Sequence, residues 1–426
     1  MSDAGTPGLP ARRAALRLLD AVLRRGLPID AARSAATRDV ADRQDQALAL
    51  AIAGEVLRRL PDLDALIDSA TRNRLADDAK ARMALRLALV QPLVLGTPPH
   101  AAIATILPLL DGGPKRLVHG VFGTLMRRGV TLPAHPTLPP TVADRWRRSW
   151  GPDVVAAAAV AIAAPPPLDL SLAREDVVAP DGVAFAPRHR RLPSGTVTDL
   201  PGFDQGGWWV QDLAASIPAR LLGEGAGEHV LDLCAAPGGK AMQLAAAGWR
   251  VTAVDGSASR LKRLGENLAR TGLRADLVEA DILRWNPPEP AAAVLLDAPC
   301  SATGVFRRHP DVLHRVQPRA IADLAAGQAA MLARAADWVR PGGTLVYATC
   351  SMEPEEGEDQ IRAFVASRPD YAVHPPASGE LPAGVPVAGE GWVRTLPGMI
   401  ADQGGLDGFF IARLRRRPLA GAESGH

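Results

Sequence analysis

The three cysteines of this sequence could act as nucleophiles, and all three occur in one setting. Cys234, Cys300 and Cys350 each follow a short, mainly apolar run. Such runs predict buried strands. An open α/β sheet binds its ligands beyond the carboxyl ends of its strands, so we expect the three thiols at the binding edge of one sheet. The alternative is that they are small buried core residues.

The elements that would position these thiols alternate between strand and helix. We predict strands at 229–233, 250–254, 275–279, 292–296 and 344–349, and helices at 239–247, 257–271 and 320–339. This alternation predicts a doubly wound, mostly parallel sheet. The runs 391–396 and 408–414 are predicted to be antiparallel edge strands.

The residues before this α/β region divide into a helical part and a smaller mixed part. Apolar residues recur at helical spacing through 10–128, with Gly and Pro breakers between the segments, and Pro92 is predicted to cut one of them. We therefore expect a helical binding domain at 1–130, a Pro-rich linker at 131–140, a small α+β segment at 141–205, an α/β domain at 206–417 and a disordered tail at 418–426.

Composition restricts the class of protein. The chain has 426 residues, 47% of them hydrophobic, and a formal net charge of +2, which is typical of a multidomain globular protein. The N-terminus lacks a signal-peptide pattern, and no apolar run is long enough to span a membrane. Three widely spaced cysteines form neither a disulfide framework nor a zinc ribbon, so we expect the reducing cytoplasm and no metal site.

The turn after the first strand of the α/β region is a candidate cofactor loop. It consists of Cys234, Ala235, Ala236, Pro237, Gly238, Gly239 and Lys240. Its glycines let backbone N–H groups approach a ligand, and the helix that follows has a positive N-terminus. Neither a Walker loop nor the dinucleotide pattern G-x-G-x-x-G fits this spacing.

Acidic residues at the next two strand ends indicate the ligand. Asp255 is placed to accept from a pair of ribose hydroxyls, and Asp281 to accept from an adenine amino group. A glycine turn, a ribose carboxylate and an adenine carboxylate, without a phosphate clamp, predict an adenosine-containing cofactor. S-adenosylmethionine fits this description best.

Two of the thiols fit one particular methyl transfer. Cys300, three residues after Asp297, and Cys350 follow the fourth and fifth predicted strands, so both are expected beside the methyl group of the cofactor. Methylation of nitrogen or oxygen needs no thiol because the acceptor already has a lone pair. Carbon 5 of cytosine becomes nucleophilic only after a thiolate adds to carbon 6. The pattern therefore predicts methylation of cytosine at C5.

Long stretches around these residues resemble a known family. The motifs at 231–240, 297–311 and 347–351 read LDLCAAPGGK, DAPCSATGVFRRHPD and YATCS, and they resemble the RNA cytosine-C5 methyltransferases of the NOL1/NOP2/Sun family. The resemblance covers about 140–416 and implies a Rossmann-like, class I S-adenosylmethionine-dependent fold. The helical part resembles the NusB-like RNA-binding bundle, and this favours small-subunit (16S) ribosomal RNA as the substrate.

The family resemblance implies a role for each matching residue. Cys350 would be the nucleophile, Cys300 would assist release of the covalent product, and Asp297 would contact the target base or the cofactor. The cofactor would bind to 234–240, Asp255, Asp281 and Asp297. DNA cytosine methyltransferases use the cysteine of the Pro-Cys pair instead, so the assignment of Cys300 and Cys350 needs a test.

Basic residues near the site are candidates to hold the RNA while the target base leaves its stack. Arginine can bind a phosphate bidentately. We predict RNA contacts by Lys240, Arg188, Arg190, Arg191, Arg307 and Arg308. For the arginines the alternative is a solvated charge without a ligand, and for Lys240 it is a helix cap or a salt bridge.

Two other functions are compatible with the sequence. One is a cytosine-C5 methyltransferase of transfer RNA. The other is a non-catalytic RNA-binding protein of ribosome assembly, against which the complete set of thiols and acidic strand ends argues. We expect a monomer that acts on ribosomal RNA, with neither a membrane nor a metal as a partner.

Overall fold

The computed structural model describes residues 7–418, and the chain forms two compact units. The first unit runs to Pro165 and includes the separate segment Phe306–Val316. The second unit contains Pro166–Val305 and continues from Gln317. Of the predicted tail, 419–426 lies outside the described residues. The predicted domain boundaries at 130, 140 and 205 stay predictions.

The first unit is all-helical, as predicted. Its helices are Leu9–Leu23, Ile29–Thr37, Arg43–Arg58, Leu60–Ser69, Lys80–Leu93, Pro99–Ile106, Gly112–Arg127, Pro140–Trp150, Pro152–Ile162 and the short Val312–Arg315. The apolar faces of the helices up to Arg127 meet in one core, in which Leu18, Leu57 and Leu85 are completely buried. Pro92 does not cut its helix, because it lies in the last turn and disturbs only the end.

The segment Phe306–Val316 is distant in sequence from the rest of the first unit but packs within it. The ring of Phe306 contacts that of Trp146, with the ring centroids 5.4 Å apart. The buried guanidinium of Arg58 donates a hydrogen bond to the carbonyl oxygen of Arg307 at 2.8 Å. Aromatic packing and a buried donor therefore both hold this segment in the helical unit.

The second unit begins with a small antiparallel sheet. Its strands are β1 (Leu168–Leu172), β2 (His189–Leu192) and β3 (Trp208–Val210), in the order β2-β1-β3. Asp169 of β1 lies opposite Arg191 of β2 in the register of the two strands. Both side chains are buried, and they form an ion pair inside the unit.

The main sheet of the second unit has eight strands. They are β4 (His229–Leu233), β5 (Arg250–Asp255), β6 (Asp276–Glu279), β7 (Ala291–Asp297), β8 (Val339–Thr349), β9 (Tyr371–Val373), β10 (Val393–Thr395) and β11 (Phe409–Arg416). The order is β10-β11-β8-β7-β4-β5-β6, and β9 also pairs with β11. The strands from β8 to β6 are parallel to their neighbours, whereas β9, β10 and β11 pair antiparallel.

The helices of this unit are Leu213–Arg220, Gly239–Ala246, Ala258–Thr271, Pro318–Asp337 and Glu358–Ser367. The second, third and fourth of them lie between parallel strands, after β4, β5 and β7 respectively. The predicted α/β class is therefore confirmed. One detail was wrong: 408–414 was predicted to be an edge strand, but β11 lies between β8 and β10. Its residues from Phe409 to Leu414 are buried, which suits an internal strand.

Candidate active site

The carboxyl ends of β4, β7 and β8 are adjacent and carry the three cysteines. Cys234 directly follows β4, Cys350 directly follows β8, and Cys300 lies in the turn after β7. The N–H group of Ala298 donates to the carbonyl oxygen of Ala348 at 2.9 Å, so the two turns stay in register beyond the strands. The Sγ atoms of Cys300 and Cys350 are 3.4 Å apart, a hydrogen-bond distance for sulfur, and all three thiols are free.

Two of the three thiols hold their protons tightly. The hydrogen bond to Cys350 and then burial raise the pKa of Cys300 well above its ordinary value. Burial, together with nearby carboxylates, raises the pKa of Cys234 to about 12. Both groups are therefore neutral at pH 7, and a neutral thiol is a weak nucleophile.

An ion pair links the cofactor loop to the end of β7. The Nζ atom of Lys240 lies 2.7 Å from Oδ2 of Asp297, and the lysine side chain is only 11% exposed. Burial disfavours the charged lysine, but the charge of Asp297 and its hydrogen bond outweigh burial and raise the pKa of Lys240, with a further contribution from Cys350. A permanent positive charge therefore acts on both Asp297 and Cys350.

The cofactor loop has a backbone shape that requires glycine at one position. Gly238 has φ of +108°, and a Cβ atom there would lie 2.8 Å from Cγ of Leu264. The carbonyl oxygen of Pro237 accepts a hydrogen bond from the side chain of Asn267 at 3.0 Å. The helix Gly239–Ala246 starts directly after this turn, so its N-terminal N–H groups and positive dipole end lie at the carboxyl edge of the sheet.

The two acidic residues predicted to bind adenosine lie at the next strand ends. Asp255 is buried at the end of β5, where its Oδ2 atom accepts from the N–H group of Ala236 and pairs with Arg260 at 3.1 Å. Its Oδ1 atom accepts from the N–H group of Ser257 at 2.9 Å and keeps a second lone pair. Asp281 follows β6, and its side chain is 55% exposed. Asp255 is thus preorganised, and Asp281 is open to solvent.

Asp232 is a further carboxylate in the same region that was not among the predicted site residues. It lies within β4 and is completely buried, and neither of its carboxylate oxygens has a hydrogen-bond partner among residues 7–418. Burial raises its pKa to about 8. Buried polar atoms nearly always have a partner, so a donor from a bound molecule or water fits here. The signal was an acid inside the otherwise apolar strand 230–233.

A cavity of about 390 Å³ opens beside the cofactor loop. Residues 235–237, Lys240 and Asp297 line one side, and Trp209 and Val210 line another. Its volume lies in the range of small-molecule sites, and it combines apolar walls with a few charged groups. The cavity and, beside the same loop, the free lone pair of Asp255 fit a cofactor that offers hydroxyl donors.

Arg191 does not occupy an RNA-facing position. It is 6% exposed and binds both carboxylate oxygens of Asp169, at 2.6 and 2.7 Å. Its Nη1 atom donates to the carbonyl oxygens of Gln403 and Gly405, at 2.8 and 2.9 Å. The structure therefore corrects the expectation for Arg191: buried inside the second unit, the guanidinium cannot reach a phosphate at the surface.

Of the other arginines predicted to contact RNA, one is buried and three are partly exposed. Arg307, in the segment Phe306–Val316, is only 3% exposed, so burial argues against contact with RNA for this residue too. Arg308, beside it in sequence, is partly exposed. Arg188 and Arg190 are 34% and 26% exposed and approach Glu224 and Glu175, respectively. These three residues remain candidates for contact with RNA.

Two properties of the described residues bear on the predicted partners. No helix in 7–418 is both long and apolar enough to cross a membrane. Over the same range, no three His, Cys, Asp or Glu side chains cluster in a way that could hold a metal ion.

The chain is similar to known methyltransferases along almost its whole length. The family described as 16S rRNA methyltransferase RsmB/F matches 219–415, and the NusB family matches 9–111. The ribosomal RNA small subunit methyltransferase B of Xylella fastidiosa is 36% identical over 97% of this chain and 99% of its own length.

Two crystal structures share the fold. That of the protein PH0851 has a TM-score of 0.74 and 23% identity, and it covers 97% of this chain and 100% of its own. That of NSun6 from Pyrococcus horikoshii with SFG has a TM-score of 0.58 and 19% identity, over 65% of this chain and 98% of its own.

The relatives decide between the enzymatic and the non-catalytic reading of the sequence. They are named methyltransferases, and they are aligned with this chain through both its helical and its α/β parts. The loop, the acidic strand ends and the cavity fit the cofactor that such enzymes use. This chain therefore belongs to the 16S rRNA methyltransferase RsmB/F family and is an S-adenosylmethionine-dependent methyltransferase.

Proposed function

We propose that the enzyme methylates carbon 5 of a cytosine in small-subunit ribosomal RNA through a covalent adduct with Cys350. The names of its relatives support the RNA substrate. Methylation at C5 through a covalent adduct is supported by the pair of thiols, Cys300 and Cys350. Their Sγ atoms lie 3.4 Å apart at the carboxyl edge of the sheet. A methyl transfer to nitrogen or oxygen would have no use for such a pair.

The thiol of Cys350 supplies what cytosine lacks. Its thiolate adds to C6, the C5–C6 double bond opens, and the electron pair becomes available at C5. Bound S-adenosylmethionine provides the electrophilic methyl group that C5 then attacks. Loss of the C5 proton reforms the double bond, and the Cys350 thiolate leaves C6. Cys350 thus returns unchanged, and the net change at C5 is a methyl group in place of hydrogen.

Lys240 and Asp297 both contribute to this scheme. The ammonium group of Lys240 interacts electrostatically with Cys350, and a fixed positive charge stabilises negative charge that develops during a reaction. Asp297 fixes the ammonium group through their 2.7 Å contact. The second carboxylate oxygen of Asp297 can accept a hydrogen bond from the amino group of the target cytosine and so orient its C6 toward sulfur.

Cys300 is assigned to product release. In this role it acts as a neutral thiol, which agrees with the raised pKa that its hydrogen bond to Cys350 and burial give it. At 3.4 Å from the attacking sulfur it lies within reach of C5 and C6 of an adduct. There it can exchange protons with the base as the Cys350–C6 bond breaks.

The target base must leave its stack to reach thiols at a strand end. Arg188, Arg190, Arg308 and Lys240 remain the candidates to hold the RNA while this happens, because none of them is shut off from the surface like Arg191. Action on ribosomal RNA would place the enzyme in the cytoplasm. The predicted monomeric state stays a prediction.

Covalent trapping tests the proposal. Wild type, Cys350→Ala and Cys300→Ala are incubated with S-adenosylmethionine and small-subunit RNA, and denaturing gels reveal protein–RNA adducts. We expect Cys300→Ala to accumulate an adduct and Cys350→Ala to form none and to transfer no methyl group. The double variant Cys300→Ala/Cys350→Ala is the control, because it lacks both thiols of the pair, and it should form no adduct.

Each other outcome has a definite meaning. Adducts only in Cys350→Ala would make Cys300 the nucleophile, as in the DNA enzymes. Methyl transfer to transfer RNA but not to small-subunit RNA would overturn the substrate class. Product analysis that finds the methyl group on nitrogen or oxygen would overturn the C5 chemistry.

A further inference from the structure

A buried carboxylate outside this scheme joins the two cysteine turns. The side chain of Glu356 is completely buried. Its Oε1 atom accepts from the N–H group of Ser301 at 2.8 Å, and its Oε2 atom accepts from the hydroxyls of Ser301 and Ser351. Ser301 directly follows Cys300, and Ser351 directly follows Cys350. One carboxylate therefore binds the neighbours of both thiols.

Glu356 is itself fixed from two other directions. The side-chain amide of Gln328, on the helix Pro318–Asp337, donates to Oε1 at 3.0 Å. The backbone carbonyl oxygen of Glu356 accepts from the hydroxyls of Tyr347 at 2.9 Å and Thr349 at 3.1 Å, both in β8. Hydrogen bonds from the sheet to its backbone and from a neighbouring helix to its carboxylate thus hold Glu356 in place, and both turns bind to it.

The donors around Glu356 depend on its carboxylate as their acceptor. The hydroxyls of Ser301 and Ser351 both point their hydrogens at Oε2, and Ser351 accepts in turn from the N–H group of Glu353 at 3.0 Å. Hydrogen bonds to an ionised acceptor are shorter and stronger than those between neutral groups. Removal of the charge leaves these donors without their best acceptor at a buried position.

We propose that Glu356 is the positioning residue that sets the spacing of Cys300 and Cys350. It holds the backbone after each thiol against one carboxylate, so that both sulfur atoms face the same substrate. The inference rests on the proposed function for the roles of the two thiols, but the spacing itself can be measured without RNA. The negative charge of Glu356 has a second effect, because it adds to the hydrogen bond and burial that keep Cys300 neutral.

Thiol cross-linking measures the spacing directly. The tests use a Cys234→Ser background, in which Cys300 and Cys350 are the remaining cysteines. Diamide oxidises two adjacent thiols to a disulfide and takes up their two hydrogens to become a hydrazine, and mass spectrometry follows the product. We expect rapid cross-linking in this background and a rate about tenfold lower in Glu356→Gln, because misplaced groups react more slowly. Glu356→Asp keeps the charge and should be intermediate.

Methyl transfer supplies the second readout. At saturating RNA and cofactor, Glu356→Gln should lower kcat by about 100-fold and leave both KM values within about twofold, since it shifts the reacting groups and not the binding surfaces. Glu380→Gln is the control: this carboxylate is hydrogen-bonded within the same unit, to the buried Arg413 through two contacts of 2.8 and 2.9 Å, but it touches neither cysteine turn. It should lower the unfolding midpoint without changing kcat or the cross-linking rate.

The outcomes separate this inference from the proposed function. Slower cross-linking in Glu356→Gln supports the positioning role even if the wild type proves inactive on ribosomal RNA. Equal cross-linking rates and equal kcat in Glu356→Gln and its parent would overturn the role of Glu356. Failure of the parent to form the disulfide would also overturn it, because the spacing that Glu356 is proposed to set would not exist.

Discussion

The sulfur atoms of Cys300 and Cys350 lie 3.4 Å apart although 50 positions separate the residues in sequence. Their approach follows from the pairing of β7 with β8, in which Asp297 is opposite Ala348. Parallel neighbours end at the same edge of a sheet, so residues a few positions beyond each strand are brought together. The order of the strands therefore creates the site. Substitutions of different residues in the site should have effects that can be measured separately.

Replacement of Lys240 by Met should remove the charge that acts on Cys350 and leave Asp297 without its partner. We expect methyl transfer to fall by about 100-fold or more, as for the loss of a preorganised charge, and the unfolding free energy to fall by about 1–3 kcal/mol. Lys240→Arg keeps the charge and should retain more activity. Steady-state kinetics and urea unfolding check both, and unchanged kcat in Lys240→Met would exclude a catalytic function of the charge.

Replacement of Gly238 by Ala should distort the cofactor loop. At φ of +108° the new Cβ would lie 2.8 Å from Leu264. Gly272→Ala is the control, because Gly272 has φ of +68° but open space around the Cβ position. We expect the control to lose about 1–2 kcal/mol from its left-handed backbone alone, and Gly238→Ala to lose more.

Binding of S-adenosylmethionine separates these two glycines further. Isothermal titration should give an affinity about tenfold lower for Gly238→Ala, because its loop no longer presents the backbone in the same place, and an unchanged affinity for Gly272→Ala. Equal affinities for the two variants would show that the loop does not form the cofactor site.

Arg190 and Arg191 should respond differently to alanine. Although burial opposes it, the hydrogen bonds from Arg191 hold the pKa of Asp169 well below its usual range, so this pair is ionised inside the unit. Arg191→Ala should therefore cost about 3–5 kcal/mol of stability. Arg190→Ala should leave stability nearly unchanged and reduce the salt dependence of RNA binding by about one charge. Filter binding at several salt concentrations and thermal unfolding distinguish these effects.

The stability of the helical unit should depend on pH through His314. Its Nε2 atom lies 2.7 Å from the carbonyl oxygen of Leu57, and burial lowers its pKa from 6.5 to about 4. Between these two values the unfolded chain binds a proton that the folded chain does not. Stability is therefore complete above pH 6.5 and falls as the pH decreases toward 4, with a loss of roughly 2 kcal/mol at pH 5.

His314→Gln tests this dependence, because glutamine can still donate to Leu57 but does not titrate. The difference in unfolding midpoint between pH 7.5 and pH 5 should shrink in this variant. His309→Gln serves as a control, since His309 is 39% exposed and pairs with an exposed aspartate. The same pH dependence in wild type and His314→Gln would assign it to other groups.

The sequence was sufficient for the strands that carry the site, and the reason is physical. Runs such as 292–296 lie in an internal strand of a parallel sheet, so they are continuously apolar and easy to recognise. The order of the remaining strands was harder to predict. We expected β11 at an edge of the sheet, but the short strands β9 and β10 pair with it and make it internal.

Side-chain roles were harder to predict than elements. Arg191 and Arg307 were expected at an RNA surface because a run of arginines in sequence does not reveal which member is buried. Glu356 was visible only as part of an acidic stretch after Cys350, and its link to Ser301 depends on contacts between residues 55 positions apart. Such contacts are set by tertiary packing, for which periodicity and motif spacing carry no signal.

The packing of Phe306 against Trp146 has a consequence for how the protein is made. The ribosome releases the helical residues first, yet their unit is completed only by Phe306–Val316, after the whole of Pro166–Val305 has emerged. Domains usually fold in the order of synthesis. Here the helices up to Arg127 share a core of their own, but the ring of Trp146 lacks its partner until Phe306 has emerged. A gene truncated after Pro165 should therefore yield a fragment less stable than the same residues in the full-length chain, which carries the missing piece within itself.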